Sequence, residues 1–107
     1  MDFIIKNLQQ NIVNASRAIG YLIIDNSNGQ YNMVRKLHGD SYPRFHIYAT
    51  LRPGSGQEQG ADFIFSLHLD QKKPVYEGTH AHNGEYFGPV VESEADRVKE
   101  ILYGQNQ

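Results

Sequence analysis

The chain contains no cysteine. A disulfide scaffold, a thiolate nucleophile and a cysteine-ligated zinc site are thereby excluded, and the absence fits a reducing compartment. Long apolar runs are missing too. The longest, Ile19 to Ile24 with Gly20 inside it, falls far short of the roughly 20 residues that span a bilayer as a helix. Charge of one sign is also scarce. The net charge is -2, which provides no global attraction to nucleic acid or to an anionic membrane. Lys6, Asn7, Gln9 and Gln10 interrupt the apolar stretch that a secretory signal would need at the start of the chain. The expectation is a soluble cytoplasmic protein with no membrane segment.

What remains is an ordinary globular composition, 39% hydrophobic and 21% charged over 107 residues, the size of one domain. Ile4, Ile5, Leu8, Ile12, Ala15 and Ile19 recur at helical spacing, with Asp2 as a candidate N-cap and Gly20 as a stop. They predict a helix over about 3–18. Two β-rich runs, about 21–25 and 31–37, flank Asn28-Gly29, a pair that tolerates the positive φ of a tight hairpin. His38 to Pro43 reads as a turn.

Two longer segments, about 44–52 and 61–70, alternate with period two. Phe45, Ile47, Ala49 and Leu51 face one way, as do Phe63, Phe65, Leu67 and Leu69; His46, Tyr48, His68 and Asp70 face the other. The Gly- and Gln-rich stretch between them makes an antiparallel hairpin the natural pairing. A C-terminal helix over about 91–103 follows from Val91, Ala95, Val98, Ile101 and Leu102. Ser93 and Asp96 sit at capping-box spacing, Pro89 offers an earlier start, and Gly104 a stop. The predicted fold is α+β: a four-stranded antiparallel sheet with the N-terminal and C-terminal helices packed on one face.

Chemistry concentrates in His46–Glu85, which holds four of the five histidines. If the odd positions of the two long strands form the core, even residues must oppose even residues. One register sets His46 against His68 and Tyr48 against Ser66; the next sets His46 against Asp70 and Tyr48 against His68. Either gathers His46, Tyr48, His68 and Asp70 on the face away from the helices. The segment 71–89 has neither helical nor strand period and leaves directly from Asp70. It carries His80, His82, Glu85 and Tyr86, which can fold back over the patch as a lid.

Three readings follow from this patch. The first is a non-catalytic domain that binds a small molecule or a protein partner through the patch and the 71–89 loop, with tyrosines giving amphipathic contact surface. The second is a small metal-dependent hydrolase. It would use His46, His68, His80 and His82 as ligands to a divalent metal such as zinc, and Asp70 or Glu85 as general base. The third is structural: the same side chains hydrogen-bond on an open sheet face or inside a homodimer through that face. The first is the expected function. The paired histidine strands resemble, loosely, those of two-histidine phosphoesterases. Tyr48 and Asp70, however, stand where that family needs hydroxyls, so the family is not adopted. Nucleic acid is disfavoured, because Arg44, Arg52, Lys72 and Lys73 form no basic stripe and no aromatic ribonucleoprotein motif is present.

Overall fold

The computed structural model describes residues 1–54, 60–71, 84–85 (backbone only) and 88–105. The elements run β1 (Asp2–Leu8), α1 (Ile12–Ala18), β2 (Leu22–Ser27), β3 (Gln30–Lys36), β4 (Arg44–Leu51), β5 (Ala61–Asp70), β6 (Gly84–Glu85) and α2 (Pro89–Gln105). The class is α+β, as the patterning predicts. The sheet order is β1-β5-β4-β3-β2, every pair is antiparallel, and the short β6 adds to β5.

The long strands form where alternation is cleanest, and their inward side chains build the core. Phe45, Ile47, Phe65 and Leu67 meet Ile12 and Ala15 of α1, Ile19 at its C-terminal cap, and Val91, Ala95, Val98 and Leu102 of α2 in one buried cluster. Both helices therefore cover the same face of the sheet. Asn28 and Gly29 take φ of 54° and 75°, and Ser27 pairs with Gln30 across them, giving the tight hairpin expected of Asn-Gly. The strands expected at 21–25 and 31–37 are thus displaced only slightly. The register of β2 skips between Ile23 and Asp25, a bulge that the sequence does not announce.

The helix expected over 3–18 is half strand. Asp2–Leu8 pairs with β5 as an edge strand, and only Ile12–Ala18 is helical. Four strands thus become five plus the short β6. In β1 Phe3 and Ile5 turn inward while Ile4 and Lys6 turn out. Asn7, at φ 58°, and a register shift then bring Leu8 back to the core. A helical stripe and a bulged strand bury nearly the same residues here. Tertiary context decides between them: β5 would otherwise present a long bare edge, and paired isoleucines suit a strand. Asp2 caps nothing; its carboxylate accepts from the Ser66 hydroxyl at 2.7 Å. The cap of α1 is Asn11, whose side-chain oxygen accepts from the Asn14 N–H at 2.8 Å. Gly20 does end the helix. Its N–H bonds Arg17 O and that of Tyr21 bonds Ser16 O, the paired bonds that close a helix on a left-handed glycine.

Helix α2 starts at Pro89, with Gly88 O accepting the first helical bond from Glu92. Ser93 and Asp96 consequently lie inside the helix and form no capping box, and Gly104 falls within its last turn rather than beyond it. No described helix is long and apolar enough to cross a membrane.

One charged group sits inside the helix layer. Glu94 of α2 is 3% exposed. Its carboxylate accepts from Tyr21 Oη at 2.6 Å, from Arg35 Nε and Nη2 at 3.1 and 3.0 Å, and from Arg97 Nε and Nη2 at 2.8 and 2.9 Å. Burial pushes its pKa up, but the bonds from Arg97, Arg35 and Tyr21 outweigh that and hold it below the usual carboxylate range. Burial, then the facing Glu94 charge, raises the Tyr21 phenol far above its ordinary value. The cluster therefore carries two guanidinium charges against one carboxylate, with Tyr21 neutral.

The strand assignment at the N-terminus has a direct test. Ile5 is fully buried and Ile4 is 36% exposed. Ile5→Ala should cost about 2–5 kcal/mol and Ile4→Ala about 1 kcal/mol or less, measured by denaturant unfolding. A helix burying both would make the two losses comparable.

Candidate functional site

Strands β4 and β5 take the first of the two registers open to the sequence. His46 lies opposite His68, Tyr48 opposite Ser66, and Arg44 opposite Asp70. Asp70 is two residues beyond His68 on the same strand face and diagonal to His46, within reach of both. Strand β3 adds Asn32 opposite Tyr48 and Val34 opposite His46. These even positions share the face that the helices leave uncovered.

The contacts converge on one carboxylate. Asp70 Oδ2 lies 3.1 Å from His46 Nδ1, and Asp70 Oδ1 lies 2.9 Å from His68 Nε2. Arg44 Nε approaches Oδ2 at 3.4 Å. The His46 ring stacks on Tyr48 (centroids 4.6 Å apart, 27° between planes) and leans on His68 (4.7 Å, 42°). Tyr48 also stacks on His68 at 5.8 Å. The other ring nitrogen of His46, Nε2, contacts the side-chain oxygen of Asn32. Although they stand on the face opposite the helices, His46 and His68 are only 6% and 8% exposed.

Burial pushes the Asp70 pKa up, but hydrogen bonds from His46 and His68, and then their charge, outweigh it and hold the carboxyl well below the usual range. Asp70 is thus a committed anion between two imidazoles. One donor atom from each of His46, His68 and Asp70 lies within 4.8 Å of the others. Two imidazoles and a carboxylate at this spacing can share a divalent cation, relay a proton, or hold a ligand by hydrogen bonds.

Four of the residues picked from the pattern, His46, Tyr48, His68 and Asp70, are therefore neighbours. His80, His82 and Tyr86 lie outside the described residues. Glu85 is described in its backbone: it pairs with Leu69 in β6, and Gly84 pairs with Asp70. The chain that leaves the sheet at Asp70 returns beside it. His38, the fifth histidine, is exposed in the turn before β4. Two members of the cluster escape the sequence reading. Asn32 needs the β3–β4 register, and Arg44 reads as a strand end until its partner across the ladder is known.

No protein-family model, curated protein or solved structure matches the chain.

The state of Asp70 sets a pH dependence. Its folded pKa is depressed, so its ionised form stabilises the fold above the unfolded value of about 3.9, and that contribution is lost as pH falls through the folded value. Urea unfolding followed from pH 6 downward should show stability falling in acid, and Asp70→Asn should flatten part of that fall.

Proposed function

We propose that this protein is a non-catalytic binding domain whose ligand is a divalent metal ion, zinc being the best match to the donors, held by His46, His68 and Asp70. The observation that carries the reading is the convergence of these three donors within 4.8 Å on the sheet face opposite the helices. Neutral imidazole and carboxylate are zinc's ordinary nitrogen and oxygen ligands.

The surroundings of His46 support it. Acceptor oxygens face both of its ring nitrogens, Asp70 Oδ2 at Nδ1 and Asn32 Oδ1 at Nε2. With a metal on Nδ1, Nε2–H donates to Asn32, the outer contact that commonly fixes a metal-binding histidine. Arg44, beside Asp70, would hold the carboxylate in place in the same way.

Three protein donors leave a position for water or for a donor atom of a further ligand. That open position is what favours the second reading, a metal-dependent hydrolase, which would use the water as nucleophile. Binding requires only that a ligand can reach it.

Chelator-treated protein titrated with zinc chloride in a calorimeter tests the proposal. One site per chain is expected, with stabilisation of about 2.7 kcal/mol once free zinc is a hundredfold above Kd. His46→Ala, His68→Ala and Asp70→Asn should each weaken binding at least about tenfold, whereas His38→Ala should leave it unchanged. Zinc binding that survives His68→Ala undiminished would refute this assignment.

A further inference from the structure

We propose a second binding site on the other face of the sheet, for a small carboxylate with an apolar body. It is an open groove of about 530 Å³ between the N-terminal half of α2 and the adjoining ends of β3 and β4, walled by Leu37, Phe45 and Val90 with Arg35, Arg97 and Glu94 at its polar side. Ligand pockets occupy roughly 300–1,000 Å³ and combine apolar walls with a few converging polar groups.

The apolar wall includes a residue that the core does not use. The buried stripe of α2 is Val91, Ala95, Val98 and Leu102, and Val90 stands off it, 50% exposed and lining the groove. Leu37 is half-buried at the end of the same wall. A large aliphatic side chain left half in water at a pocket rim is surface available to the body of a ligand.

The polar end has one positive charge in excess. Arg35 and Arg97 share the single carboxylate of Glu94 through Nε and Nη2; Nη2 of Arg97 also donates to Ile19 O at 2.6 Å. The Nη1 groups of both arginines have no hydrogen-bond partner among the described residues. Guanidinium forks pair preferentially with carboxylates. One excess charge is neutralised by a singly charged head. The site therefore suits a monocarboxylate with an aliphatic or aromatic body. It shares no residue with the zinc site, so either can fail without the other.

Octanoate is the probe, with octanol as the uncharged control, followed by ¹H–¹⁵N spectra that include the arginine Nε–H groups. Octanoate should produce saturable shifts at Arg35, Arg97 and the amides of residues 90–93, and octanol should bind at least tenfold more weakly. Arg35→Gln should weaken octanoate at least tenfold. Val90→Glu lies outside the Glu94 cluster at an exposed position, and it should abolish octanoate binding while leaving the fold and zinc binding intact. His68→Ala should bind octanoate as the natural chain does. Absence of saturable shifts, equal binding of octanol, or undiminished binding by Val90→Glu would overturn the proposal.

Discussion

Register between β4 and β5 is the constraint on which both faces of the sheet depend. With His46 opposite His68, Phe45, Ile47, Phe65 and Leu67 all point into the helix layer. A slip of one residue on either strand would send that strand's apolar set to the face opposite the helices and its imidazole into the core. Each of these large side chains contributes about 1.5–3 kcal/mol by burial, so the loss would consume much of the roughly 5–15 kcal/mol that keeps a domain folded. Apolar packing on one side thus fixes the geometry of the polar groups on the other. His46, His68 and Asp70 are held on rigid central strands by energy that they do not themselves supply, which is what a preorganised binding site requires.

The buried Glu94 and the half-buried Asp70 make an instructive contrast. Glu94 is surrounded by guanidinium groups and a phenol, donors whose protons stay in place over the physiological range. Its network clamps α2 to β3 and to the chain after α1. Asp70 faces two imidazoles, whose nitrogens can give up a proton and accept a metal instead. The same electrostatic logic therefore gives a fixed clamp on the helix side and an exchangeable cluster on the opposite side. That difference, more than burial alone, separates the structural cluster from the functional candidate.

Much of this arrangement is written in local pattern. Period-two alternation specifies β4 and β5 and the patch of His46, Tyr48, His68 and Asp70. Asn28-Gly29 specifies the hairpin, and the stripe from Val91 to Leu102 specifies most of α2. The failures share a cause, which is that long-range pairing decides them. Ile4, Ile5 and Leu8 fit a helical stripe as well as a bulged strand, and only the free edge of β5 selects the strand. Gly84–Glu85 becomes β6 because it meets Asp70 and Leu69 across space. Arg35 and Glu94 are charged, yet each occupies an inward position. Arg35 is two residues from Met33 on the core face of β3, and Glu94 sits three residues after Val91 and four before Val98. Their mutual neutralisation is what permits this, and no local window contains both.

Strand register brings two imidazoles and a carboxylate to one point on the face opposite the helices. Anomalous diffraction at the zinc edge, from crystals grown with zinc, tests it most directly. A peak is expected at about 2.0–2.2 Å from ring nitrogens of His46 and His68 and from an Asp70 oxygen. Full-occupancy zinc elsewhere on the chain, with these three side chains still hydrogen-bonded only to one another, would contradict it.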